Sequence, residues 1–130
     1  MRSAYLFGLV AYTCQFYWIH TALHDVSGLP NLYALPLTLL FPAYLALFPA
    51  AAFWLWEKLH LPRWLKTGLA LPVLWTITEF ARERALTGFG WGALGYSQIA
   101  DGSPLAGFAP LGGIHLVTFT TALLGCWLVL

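Results

Sequence analysis

With 130 residues, 60% hydrophobic and only 8% charged, the chain has far fewer charges than the ~25% of an ordinary soluble domain. Its mean hydropathy of +0.74 and 17% aromatic content agree with a chain solvated by lipid. A net charge of +1 leaves no basic patch to neutralise phosphates, which excludes nucleic acid as a partner.

The composition predicts an all-α membrane protein, and the apolar runs predict about four transmembrane helices. The first run, 3–19, follows a short basic start at Met1-Arg2. It ends in Phe16-Tyr17-Trp18 instead of a small-residue cleavage site, so it reads as a span and not as a cleavable signal. A polar turn, 20–31, follows, with Gly28 and Pro30 as breakers and no Lys or Arg. The second run, 32–56, is roughly 37 Å long if helical throughout. Pro36 is expected in its first turn, Pro42 and Pro49 as kinks, and Trp54 and Trp56 at the far interface.

Residues 57–66 form the one ordinary charged loop, with Lys58, Arg63 and Lys66. The third run, 67–84, is interrupted by Glu79. A loop over 85–110 precedes the last run, 111–130. Within that loop, Thr87 to Gln98 holds four glycines and three aromatic rings. Each interior glycine costs a helix about 1 kcal/mol, and irregular backbone at membrane depth needs protein or water partners. The segment is therefore expected as a loop held against the protein near one membrane face. No internal repeat or soluble domain is apparent.

Arg2 and the 57–66 loop share one side, which the positive-inside rule makes cytoplasmic; loops 20–31 and 85–110 then lie outside. Arg82 and Arg84 count against this orientation, but Glu79 and Glu83 are near enough in sequence to pair with them. Cys14 and Cys126 lie inside apolar runs at different depths, too far apart for a disulfide, which needs Cα atoms within about 7 Å. Buried, unreactive thiols are expected.

Several residues invite chemistry. Glu79 sits about 18 Å into its run, and an ionisable group there must face protein or water. Trp75, Glu79 and Arg82 share one helix face, which suits either a structural Glu79–Arg82 pair or a substrate pocket. His20, His24 and Asp25 have a spacing that can hold a metal on a helix. No further ligand lies nearby and the breakers argue against a helix, so interfacial polar residues are the plainer reading and no metal site is assigned. His115 is expected as a hydrogen-bonded interface residue, and His60 calls for no special role. Phe89, Trp91 and Tyr96 suit either a lipid contact or a packed re-entrant turn.

The series Thr78-Glu79-Phe80-x-Arg82, Thr87-Gly88-Phe89-x-Trp91, Gly95-Tyr96-Ser97-Gln98 and Pro104-Leu105-x-Gly107-x-Ala109-Pro110-x-Gly112-Gly113 resembles the membrane domain of the bacterial apolipoprotein N-acyltransferase family. Upstream, Trp18-Ile19-His20 and Gly28-Leu29-Pro30 resemble the end of a span and the outer turn of that family. Gly90 departs from it, since proline commonly stands between the Phe and the Trp.

The resemblance implies an inner-membrane enzyme working at the periplasmic face without a cofactor. The family moves an acyl chain from a phospholipid to the α-amino group of the N-terminal diacylglyceryl-cysteine of a lipoprotein. The chemistry is ping-pong transfer through a cysteine thioester, assisted by a glutamate and a lysine in a nitrilase-like α/β domain. That domain is expected to lie outside these 130 residues. The lysines, Lys58 and Lys66, fall in the cytoplasmic loop and both cysteines fall in spans, so no catalytic residue is assigned. The chain is expected to be an inactive fragment of the membrane domain. By the same resemblance, Glu79, Arg82, Gly88, Phe89, Trp91, Tyr96 and Gln98 would contact phospholipid and lipoprotein substrates. The alternative is a small non-catalytic membrane protein, an assembly partner or a transporter subunit.

Overall fold

The structure, a computed structural model, describes residues 2–86, 88–99 and 102–130. Thr87, which belongs to the glycine-aromatic motif, lies outside the described residues, as do Met1, Ala100 and Asp101. The chain divides into two compact units, residues 1–50 and 51–130. Among the described residues all regular structure is helical.

In the first unit, α1 (Arg2–Phe16) packs on α3 (Asn31–Leu45). The buried residues of α1 are Gly8, Tyr12 and Phe16, spaced one turn apart on a single stripe. Gly8 is needed for the approach, because a Cβ there would lie 2.8 Å from Pro49 Cγ and 3.2 Å from Ala46 Cα. The connection is more helical than its Gly and Pro suggest: α2 (Trp18–Thr21) runs into a π turn over Ala22–Val26. The 20–31 segment therefore stays helical to Val26, against expectation, and breaks only at Gly28 with φ +71°.

The prolines of the second apolar run act differently from expectation at one position. Its helix begins at Asn31, so Pro36 lies inside α3 and not in its first turn. The run then breaks at Ala46, where α3 gives way to α4 (Leu47–Lys58). The physical cause is Pro49, which has no N–H for the carbonyl four residues earlier, at Leu45.

In the second unit, α5 (Arg63–Leu65) leads through a π turn over Lys66–Ala70 into α6 (Leu71–Arg82). Helix thus starts a turn before the expected end of the charged loop. The π turn also has a proline behind it. Pro72 cannot donate to the Gly68 carbonyl, and the Trp127 indole N–H donates to that carbonyl instead, at 3.1 Å.

Trp127 belongs to α7 (Ala109–Val129), which is kinked at Gly112 and Gly113. α6 and α7 run antiparallel, with Gly68 bonded to Trp127, Glu79 to Thr118 and Glu83 to His115. Two 3-10 turns, Leu94–Gln98 and Pro104–Phe108, pack on α7 and occupy the loop between the two helices.

Among the described residues, two helical stretches, Asn31–Lys58 and Pro104–Val129, are long and apolar enough to cross a membrane. Several polar side chains are buried within the apolar core while many large apolar ones are exposed. Glu79, Arg82 and Thr118 are buried, while Leu111, Leu128 and Val129 are more than three-quarters exposed. In water that arrangement opposes the hydrophobic effect; against hydrocarbon it follows it. The thiols fit the same picture and correct the expectation of burial, since Cys14 is exposed and Cys126 half-buried, both free.

Candidate functional site

The site grows from one face of α6. Trp75 and Glu79 are one turn apart, and the Trp75 indole N–H donates to Glu79 Oε1 at 2.9 Å. The same oxygen accepts the Leu94 backbone N–H, also at 2.9 Å. Glu79 Oε2 accepts the Thr118 hydroxyl at 2.9 Å, and Thr118 Oγ1 in turn accepts the Gly95 N–H at 3.0 Å. One carboxylate, 4% exposed, therefore ties α6, the Leu94–Gln98 turn and α7 together. A carboxylate in low dielectric is tolerable when its lone pairs are met by donors, and hydrogen bonds to it are worth about 1.5–3 kcal/mol each.

This geometry answers how an irregular segment survives here. Its backbone N–H groups find acceptors at Glu79 for Leu94, Thr118 for Gly95 and the Arg82 carbonyl for Phe89, the last at 3.3 Å. Gly95 is indispensable, because a Cβ there would sit 2.8 Å from the Ile114 carbonyl oxygen and 3.0 Å from the Thr118 nitrogen. Gly88, at φ +76°, has no room either: a Cβ would collide with the Glu83 carbonyl oxygen.

The charges at the end of α6 pair differently from the expectation that Glu83 would meet an arginine. Glu83 Oε2 lies 3.1 Å from His115 Nε2. The His115 ring meets Phe80 edge-on with centroids 5.0 Å apart, and the Arg84 guanidinium lies over Phe80 at 3.5 Å. Gly90 belongs to the same cluster, since a Cβ there would press on the Glu83 side chain at 3.2 Å. The glycine thus makes room for the carboxylate that reaches His115.

The remaining candidates fall into two groups. Glu79 and Arg82 are buried, Arg82 at 1% exposure, and stand behind the loop. Trp91 at 65% and Tyr96 at 44% present their rings outward, while Phe89 is half-buried with its ring 6.4 Å from that of Trp91. Gln98 is a tie between turns: its amide donates to Ser97 Oγ at 3.0 Å, and its carbonyl accepts the Ser103 hydroxyl at 2.8 Å.

Thr118, Leu94 and Gly95 are parts of the site that spacing alone did not single out. Thr118 carries no signal, being one of three threonines in α7 with Thr120 and Thr121, and Gly95 is one glycine among several. His20 and His24 belong to the first unit. Their rings are 5.6 Å apart; His20 Nε2 is 3.1 Å from Asn31 Oδ1, and His24 Nδ1–H donates to the Leu29 carbonyl at 2.8 Å. Both therefore hydrogen-bond within their own turn.

Comparison with known proteins bears on the same residues. A family profile described as the apolipoprotein N-acyltransferase N-terminal domain matches residues 1–127. An apolipoprotein N-acyltransferase from Neisseria meningitidis serogroup B is 78% identical over 130 residues, covering 100% of this chain and 25% of that protein. One from Chromobacterium violaceum is 53% identical over 119 residues, 92% of this chain and 23% of that protein. One from Vibrio cholerae is 41% identical over 119 residues, 88% and 23% respectively. The chain spans about a quarter of the length of the curated relatives it matches. With a profile match over nearly every residue and relatives this similar, the chain belongs to the apolipoprotein N-acyltransferase N-terminal domain family.

Proposed function

We propose that the chain is a fragment of the membrane domain of an apolipoprotein N-acyltransferase and forms one wall of the route used by its substrates. The substrates are a phospholipid acyl donor and the α-amino group of a diacylglyceryl-cysteine. The chain crosses the bacterial inner membrane as four spans, 3–19, 32–56, 67–84 and 111–130, with loops 20–31 and 85–110 in the periplasm and 57–66 in the cytoplasm. It carries no catalytic nucleophile. Family membership leaves the reading as a non-catalytic protein of another class without a specific observation in its favour.

The observation that carries this reading is the contrast within the glycine-aromatic segment. Its backbone is anchored at Leu94 and Gly95 by Glu79 and Thr118, while Trp91 and Tyr96 stay exposed. An anchored backbone that presents exposed amphipathic rings suits a lipid headgroup boundary. Glu79 and Arg82 act from behind as positioning residues, Gly88 sets the turn, Gln98 links it to the next, and Phe89, Trp91 and Tyr96 meet lipid.

The test is Trp91→Ala at the matching position of the full-length Neisseria relative, in which the mostly exposed ring can be removed without unfolding. Turnover is expected to fall about tenfold, the effect of losing about 1.4 kcal/mol of transition-state contact. Acyl-enzyme formation and turnover equal to those of the parent would overturn the substrate role.

A further inference from the structure

The α6–α7 pair has a second feature about 22 Å from the Glu83–His115 end, counting 1.5 Å per residue from Gly68 to Glu83. There a cleft of about 540 Å³ is walled by Trp56, Leu71, Val129 and Leu130, with Arg63 and Lys66 also lining it. Its lining side chains include two cations and no carboxylate.

The cationic side is pre-arranged. The Trp56 indole N–H donates to the Lys66 carbonyl at 3.0 Å, and Lys66 Nζ sits 4.8 Å over the Trp56 ring while donating to the Glu57 carbonyl at 3.2 Å. Arg63 is exposed beside it. Neighbouring Lys58 lies 3.9 Å over Trp54, and Trp64 is 60% exposed, so the cleft opens within a belt of tryptophan and basic side chains. Such belts settle at the membrane–water boundary, and basic pockets between helices there take lipid headgroups. A ligand that satisfies both walls needs an anionic group for Arg63 and Lys66 and an apolar chain for Leu71, Val129 and Leu130.

We propose that this cleft binds one anionic phospholipid, with its phosphate held by Arg63 and Lys66 and an acyl chain lying along Leu71 and the end of α7. The site is separate from the acyl-donor route at the other end of the helices. It rests on the membrane placement given above and not on the acyl-transfer reaction.

The test uses the full chain in non-ionic detergent and native mass spectrometry of lipid adducts. Phosphatidylglycerol and phosphatidylcholine of equal chain length are compared, with inorganic phosphate as a third arm. A single phosphatidylglycerol adduct favoured about tenfold over phosphatidylcholine is expected, the order of effect of one or two basic side chains at an anionic surface. Arg63→Gln, at an exposed position that leaves the Trp56–Lys66 contacts intact, should remove most of that preference. Lys58→Gln, outside the cleft, should leave it. Equal retention of the two lipids, displacement of phosphatidylglycerol by inorganic phosphate, or an equal loss in Lys58→Gln would each overturn the proposal. Flotation with phosphatidylcholine vesicles separates the two layers of the argument. A chain that inserts but shows no preference overturns the cleft alone, and one that stays out of the vesicles overturns the membrane placement as well.

Discussion

Glu79 bonds α6 to the Leu94–Gln98 turn and to α7, and two substitutions separate its hydrogen bonds from its charge. Glu79→Gln keeps an oxygen for Trp75 and Leu94 and offers an amide N–H to Thr118 Oγ1, so a loss of about 1–2 kcal/mol is expected. Glu79→Ala leaves the Trp75 indole, the Leu94 N–H and the Thr118 hydroxyl without their acceptor, and about 3–5 kcal/mol is expected. Thermal unfolding of the two variants in detergent checks the order; equal losses would show that the amide cannot stand in for the carboxylate, and no loss in Glu79→Ala would show that the bonds seen there carry no stability. Gly95 makes a sharper case, because the atoms nearest a new Cβ include α7 backbone, which cannot rotate away. Gly95→Ala is expected to cost about 1–3 kcal/mol by overpacking and to expose the Leu94–Gln98 turn to protease. Proteolysis of variant and parent under native conditions reads that directly.

Between elements, the decisive contact is one that a missing hydrogen bond creates. Pro72 frees the Gly68 carbonyl and Trp127 occupies it, so the proline in α6 helps fix where the end of α7 docks. Trp127→Phe keeps most of the ring but leaves that carbonyl unmet, at a cost of about 1–3 kcal/mol. In a Pro72→Ala background the restored N–H can serve the same carbonyl, and the cost of Trp127→Phe should shrink. A double-mutant cycle on melting temperature measures the coupling, and strict additivity would count against the arrangement. The Ala46 break follows the same rule on a larger scale, with Pro49 dividing an apolar run long enough to cross a membrane.

For the molecule as a whole, buried Glu79, Arg82 and Thr118 beside widely exposed apolar side chains suit a lipid setting, and the proposed topology makes a direct prediction. Single cysteines introduced at His60 and at Ser97, in a Cys14→Ala/Cys126→Ala background, should label from opposite sides of inverted and right-side-out vesicles. Labelling of both from the same side would overturn the four-span arrangement. The purified chain alone is also expected to transfer no labelled acyl group to a diacylglyceryl peptide, since Cys14 is on α1, Cys126 on α7, and Lys58 and Lys66 on other elements. Measurable transfer would refute the assignment of catalysis to a separate domain.

Helical class, the apolar runs and the special standing of the glycine-aromatic segment were legible in the residues, because periodicity, hydropathy and glycine content are local properties. The family was legible too, since an ordered series of motifs survives without knowledge of how its members touch. The helical shared face of Trp75 and Glu79 followed from spacing alone. Their partners did not: Thr118 lies 39 residues from Glu79 and Gly95 meets Thr118 across 23 residues. Nothing local sets that threonine apart from Thr120 and Thr121 beside it. Glu83 likewise had an arginine on either side in sequence, yet its carboxylate reaches His115 through the space left by Gly90. Hydropathy can place a carboxylate inside an apolar helix, but the donors that make it tolerable are brought there only when α6, the loop and α7 pack together.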